Sequence, residues 1–219
     1  MPGQVRATAV VTGNPVRAEI LAGQASRATA SLGWAGHDPA LPTVYVTGGA
    51  QGSVQVNTAV AGVLPWLVER ANVIHQCGPG NVEPFRATAA GLAVPGRYFL
   101  TGFLRGEVAD VLALADVVVS RSGAGTVAEL TALGKAAVLI PLASAAGNEQ
   151  VHNARYLQEA GAAVALEGEV SPERLREAVE PLLADPAART TMARRARAFG
   201  RPDAAERLAD VVLDAAGGR

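Results

Sequence analysis

A chain of 219 residues, 49% of them apolar, can bury one substantial core or two small ones. Its 19 basic and 20 acidic side chains leave a net charge of −1, which gives no electrostatic footprint for a nucleic-acid partner. A single cysteine, Cys77, excludes an intrachain disulfide, and no apolar run approaches the roughly 20 residues of a membrane-spanning helix.

Residues 1–40 read as an interdomain segment and linker. They offer one apolar run (Ala9 to Val11), a Gly13-Asn14-Pro15 break, a short helical stretch from Val16 to Leu21, and then small polar residues up to Pro42. The start carries no long apolar signal core. With the lone cysteine, this makes a reducing cytoplasm the expected compartment.

From Thr43 a regular alternation begins, and residues 41–219 read as one domain. Short apolar strands are expected at Val44 to Val46, Val73 to His75, Tyr98 to Leu100, Val117 to Ser120, Ala137 to Ile140 and Ala163 to Leu166. Amphipathic helices are expected at Val54 to Arg70, Glu107 to Ala115, Thr126 to Leu133 and Glu149 to Ala160. The pattern predicts an α/β fold with a Rossmann-like parallel sheet and helices on both faces. Beyond it the chain turns helical. Ser171-Pro172 and Asp185-Pro186 each place a capping side chain before a proline, and a last helix is expected from near Asp203 to about Ala216.

Ligands of such a sheet bind outside the carboxyl ends of the strands, and two turns there suit a phosphate. The first runs from Thr47 to Ser53, with Gly48, Gly49 and Gly52 around Ala50 and Gln51. Its glycines let backbone N–H groups approach an anion, with a helix N-terminus behind them. A turn needed only for tight strand–helix packing would look the same. The second turn, Arg121-Ser122-Gly123-Ala124-Gly125-Thr126, opens a helix that carries Glu129 one turn further in. A carboxylate at that position can accept from both ribose hydroxyls while phosphates sit at the helix end; alternatively it complements the dipole. A dinucleotide-binding reading fails on two counts: the first turn lacks the G-x-G-x-x-G order, and the second strand ends without Asp or Glu. A third segment, Pro141 to Ala154, puts Gln150 and Asn153 three residues apart, two neutral amides suited to sugar hydroxyls or to ordinary helix-end polarity.

Gly13-Asn14-Pro15-Val16-Arg17, Gly48-Gly49-Ala50-Gln51-Gly52, Arg121 through Glu129 and Gln150-Val151-His152-Asn153-Ala154 occur in an order that resembles the MurG family of UDP-N-acetylglucosamine:lipid-linked muramoyl-pentapeptide transferases. The tail from Met192 to Arg207 fits too. The resemblance implies the C-terminal half of a GT-B glycosyltransferase. It further implies that Arg17 contacts the donor, that Gly49 and Ala50 line the diphosphate with Gln51 also in the donor site, and that Leu104, after Phe103, reads the uracil edge through its backbone. Ala124, Gly125 and Thr126 would meet the phosphates, Glu129 the ribose, and Gln150 with Asn153 the sugar, with Ser122 and Gly123 also in the donor site. This chain departs from the family where Ala50 replaces the usual Ser and where Ala146-Gly147-Asn148-Glu149 replaces a loop with Asp and His.

The resemblance also implies a catalytic group and a membrane-docking surface on an N-terminal acceptor half, so no catalytic residue is expected in this chain. The expected partners are a UDP-sugar, a polyprenyl-linked acceptor and, indirectly, the inner face of the cytoplasmic membrane. No cofactor and no metal are expected. A related transferase with another sugar or acceptor, and a non-catalytic nucleotide-sugar-binding subunit, remain as alternatives.

Overall fold

The computed structural model describes residues 9–142 and 146–217. Two short helices, α1 (Ala18–Leu21) and α2 (Ala25–Ser31), precede strand β1 (Thr43–Thr47). Strand and helix then alternate through α3 (Val54–Val68), β2 (Asn72–Gln76), α4 (Val82–Ala90), β3 (Tyr98–Thr101) and α5 (Val108–Leu114). The alternation continues through β4 (Val117–Ser120), α6 (Ala124–Leu133), β5 (Ala136–Leu139), α7 (Glu149–Glu159) and β6 (Val164–Ala165). Three helices follow: α8 (Pro172–Ala184), α9 (Pro186–Arg197) and α10 (Ala204–Gly217).

The described strands form one six-stranded sheet in the order β3-β2-β1-β4-β5-β6, with every neighbouring pair parallel. A strand covered on both faces must be apolar at successive positions, and the central strands are. Val44, Val46, Val73, Val117, Val119 and Val138 pack on one face with Val60 and Leu64 of α3 and Leu175 and Val179 of α8. Tyr45, Ile74, Val118 and Leu139 pack on the other with Ile20, Val111, Leu130 and Leu157. This is the expected Rossmann-like architecture. The expected edge strand over Ala163 to Leu166 shortens to Val164–Ala165, which among the described residues pairs only with β5.

Both expected caps form. Ser171 Oγ accepts from Arg174 N at 3.3 Å and Asp185 Oδ1 from Ala187 N at 2.8 Å, contacts of about 1 kcal/mol each. Basic side chains close helix carboxyl ends, where unpaired carbonyls carry partial negative charge. Lys135 Nζ donates to Ala113 O and Ala115 O at 2.9 Å, beside the end of α5. Arg197 reaches Leu133 O at 3.0 Å, at the end of α6.

Part of the segment expected to be a linker is packed structure. Val16, Ile20, Ala28 and Trp34 are buried. Asp110 Oδ1 accepts from Gln24 N at 2.7 Å and Arg27 Nη2 at 2.9 Å, and Trp34 Nε1 donates to Gly96 O at 2.8 Å. A Cβ on Gly23 would stand 2.1 Å from Ala109 O, so backbone meets backbone here. Small residues permit that approach, and they are also what makes the segment read as a linker.

Candidate functional site

In the strand order, β1 and β4 are the central neighbours from which the chain winds outwards in opposite directions. Their carboxyl ends therefore flank the crevice where such sheets bind ligands. Both glycine turns lie there, since Thr47 ends β1 and pairs with Ser120, which ends β4.

The first turn is tightly held. Gly49 adopts φ +89° and Gly52 φ +78°. A Cβ on Gly52 would fall 2.0 Å from Cys77 O, and one on Gly78 (φ +94°) would fall 2.2 Å from Gln51 O. The turns after β1 and β2 thus interlock through their backbones. Beneath them Asn57 Nδ2 donates to Cys77 O at 2.8 Å, while His75 Nε2 lies 3.1 Å from Asn57 Oδ1 and His75 Nδ1 lies 2.8 Å from the Tyr98 hydroxyl. Asn57 Oδ1 can only accept, so His75 carries a proton on Nε2, and burial disfavours a second proton on the ring. Burial holds its pKa down at about 4.

The two helices that start at these turns differ in one respect. Ser53 caps α3 by accepting from Val56 N at 3.3 Å. Gly123 precedes α6 with no side-chain cap and no acidic residue in the first turn. The first backbone bond there runs from Val127 N to Gly123 O at 2.9 Å, so the N–H groups of Ala124, Gly125 and Thr126 have no acceptor among the described residues. Uncapped N–H groups together with the helix dipole make an anion site.

A cleft of about 240 Å³ opens between these turns and α5. It brings together Arg17, Gly49, Ala50, Phe103, Leu104, Thr126 and Glu129 from the expected set. The Leu104 side chain is buried, and its backbone N–H and C=O carry no hydrogen bond among the described residues. Arg17 and Glu129 form an ion pair across the cleft.

The remaining expected residues lie outside the cleft lining. Gly123, Ala124 and Gly125 form the mouth of α6 beside Thr126. Gln51 is exposed on the first turn. Ser122 is fully buried behind its loop and donates to Gln150 O at 2.7 Å. Asn153 Nδ2 donates to Ser122 O at 3.0 Å, so it braces that loop from behind. Gln150 Oε1 accepts from Leu142 N at 3.0 Å, whereas its Nε2 stands 3.9 Å from where a Cβ on Gly123 would sit and has no acceptor among the described residues. The two amides three residues apart therefore have different partners. Of the small-residue loop before them, residues 143–145 lie outside the described residues.

Tyr45, Thr47 and Gln76 also line the cleft, and none of them was expected to have a site role of its own, although Thr47 opens the first turn. Thr47 and Gln76 are each the last residue of a strand, a position that points into the crevice edge, and a search for Asp or Glu alone skips a Gln. Arg121, named in the second turn without a role, donates from Nη1 to Gln55 Oε1 at 3.0 Å and Ile140 O at 3.2 Å, tying β4 to α3 and to the end of β5. Among the described residues, no three His, Cys, Asp or Glu converge on a possible metal position. No described helix is long and apolar enough to cross a membrane.

Residues 43–208 match the family model described as the glycosyltransferase family 28 C-terminal domain. The chain belongs to this family. Among similar proteins is the UDP-N-acetylglucosamine--N-acetylmuramyl-(pentapeptide) pyrophosphoryl-undecaprenol N-acetylglucosamine transferase of Xanthomonas axonopodis pv. citri (strain 306), 44% identical over 208 residues. That match covers 94% of this chain and 47% of the relative. The transferase of the same name from Phenylobacterium zucineum (strain HLK1) is 40% identical over 224 residues, 100% of this chain and 59% of that one. The chain thus spans about half the length of the curated relatives it matches. The crystal structure of MurG from Acinetobacter baumannii superposes with a TM-score of 0.67 at 29% identity, over 80% of this chain and 52% of that chain.

Proposed function

We propose that this family 28 domain is the donor-binding half of a hexosyltransferase that takes UDP-N-acetylglucosamine. With an N-terminal acceptor half, it would pass N-acetylglucosamine to a polyprenyl-diphosphate-linked muramoyl-pentapeptide, with inversion at the anomeric carbon. One observation carries the reading: α6 presents an uncapped N-terminus beside the Gly49 turn, with Glu129 three residues beyond Thr126 in the same cleft. The names of the relatives, which span both halves, support the sugar and the acceptor.

Departure of UDP builds negative charge on the β-phosphate. The N–H groups of Ala124, Gly125 and Thr126 and the dipole of α6 would stabilise that charge where it develops, without reorganising. Glu129 would accept from the ribose hydroxyls, the Leu104 backbone would meet the uracil edge, and Gln150 Nε2 would face a sugar hydroxyl. The base that deprotonates the acceptor would come from the other half, which would also carry the contact with the inner face of the cytoplasmic membrane.

Calorimetric titration of this chain with UDP, UDP-N-acetylglucosamine, UDP-glucose and UDP-galactose tests the reading. The expected order places UDP-N-acetylglucosamine first among the sugar nucleotides, with affinity unchanged by EDTA. No heat with UDP at millimolar concentration would overturn it, and a preference for another sugar would reassign the donor.

A further inference from the structure

Three polar side chains, Tyr45, Thr47 and Gln76, fix the peptide units on both sides of Gly49. Gly49 N–H donates to Thr47 Oγ1 at 3.1 Å. Gly49 C=O accepts from Gly52 N at 3.1 Å and from Gln76 Nε2 at 3.1 Å. Gln76 Oε1 in turn accepts from the Tyr45 hydroxyl at 2.9 Å. Tyr45 and Gln76 are 3% and 5% exposed, so this chain of bonds runs from β1 through β2 to the turn inside the protein. A buried phenol and a buried amide cost free energy unless they are hydrogen-bonded, and here they bond to each other and to the turn.

The consequence concerns which donors remain for an anion. Gly49 has spent its own N–H, so it offers a ligand none. Ala50, the next residue, lines the cleft and has no acceptor for its N–H among the described residues. The direction of that N–H follows from the orientation of the Gly49–Ala50 peptide plane, because the planar unit shares one rotation. The Gly49 carbonyl, pinned by Gln76, belongs to that same plane. Holding the carbonyl inward on Gln76 therefore turns the Ala50 N–H the opposite way.

We infer that Tyr45, Thr47 and Gln76 are positioning residues for the donor diphosphate: they lock the Gly49 turn so that the Ala50 N–H faces the phosphates held at the N-terminus of α6. This inference rests on the donor-binding reading above. It assigns the three side chains no contact with the ligand, and it separates them from Glu129 and Leu104, which would touch the nucleoside.

Tyr45→Phe and Thr47→Val each remove one hydroxyl with almost no change of shape, and Thr47→Ser keeps the hydroxyl. The full chain is titrated with UDP, inorganic pyrophosphate and uridine, and each variant is melted. Tyr45→Phe and Thr47→Val are expected to weaken UDP and pyrophosphate by about three- to tenfold, the worth of one hydrogen bond. Uridine is expected to hold within about twofold, melting to shift by only a few degrees, and Thr47→Ser to bind UDP like the parent. Parent-like UDP affinity in both variants would overturn the inference while leaving the donor reading intact. An equal loss for uridine would also overturn it, by showing that the side chains touch the nucleoside. Failure of the parent chain to bind UDP would end both.

Discussion

Arg17 Nη2 stands 2.9 Å, and Arg17 Nε 3.2 Å, from the same carboxylate oxygen of Glu129, 112 residues away. One oxygen of the carboxylate is thus engaged by a residue of the segment that precedes the sheet, and Oε2 is left for a ligand. Arg17 is 60% exposed and Glu129 21%, so the pair itself adds only about 0–1 kcal/mol to stability.

Its importance is for binding. Glu129→Ala is expected to weaken UDP by about 10- to 100-fold, the range for a lost hydrogen bond to a charged group, and to leave pyrophosphate unchanged. Titration of both ligands checks this, and unchanged UDP affinity would remove Glu129 from the ribose. Because Arg17 shares the carboxylate, the Arg17→Ala and Glu129→Ala effects on UDP should not add in a double-mutant cycle.

The two amides of α7 should separate in the same assay. Asn153 braces Ser122, so Asn153→Ala is expected to loosen the loop before α6 and to weaken UDP and UDP-N-acetylglucosamine by equal factors. Gln150→Ala is expected to weaken only the sugar nucleotide, about three- to tenfold, as for one hydrogen bond. Equal ratios for the two variants would show that Gln150 does not meet the sugar.

His75 gives the fold a pH dependence. Its pKa in the folded protein is lowered to about 4 by burial, against an ordinary value of about 6.5. The unfolded chain therefore takes up a proton as the pH falls through about 6.5, and the folded chain does so only near 4. Stability from this group is complete above about pH 6.5 and is lost progressively towards pH 4, by up to about 3 kcal/mol. Denaturant unfolding at pH 7.5, 6 and 4.5 should show the decline, and His75→Gln should flatten it. Glu167, held low by its hydrogen bonds with Arg155, adds stability that is fully present at neutral pH and is lost only below the ordinary carboxylate range, so it leaves the decline between about pH 6.5 and 4.5 to His75.

The sheet was legible because its strands are short apolar runs whose side chains are buried on both faces, as Val117-Val118-Val119 illustrates. The caps at Ser171 and Asp185 were legible because their partners lie two or three residues away. The mouth of α6 was legible for the same reason, since Gly123, Gly125 and Glu129 are set by local helix geometry. Features decided by distant partners were not. Ser122 resembles a ligand contact until Gln150 and Asn153, 28 and 31 residues on, are seen to occupy its hydroxyl and carbonyl. The expected helices omitted α4, whose mean hydropathy is close to neutral and which buries only Phe85. Trp34 gave no periodic signal, because its partner is the carbonyl of Gly96.

The guanidinium of Arg197 on Leu133 O carries a further consequence. A helix that offers its amino end to a phosphate leaves its other end electron-rich, and here α9 supplies the cation that covers it. A truncation after Asp185 would keep every side chain bordering the cleft, yet it would strip that far terminus and expose the face of α6 against which α9 rests. The smallest independently working unit is therefore longer than the stretch that meets the nucleotide, and a minimal binding module cut from this protein should run past Gly200.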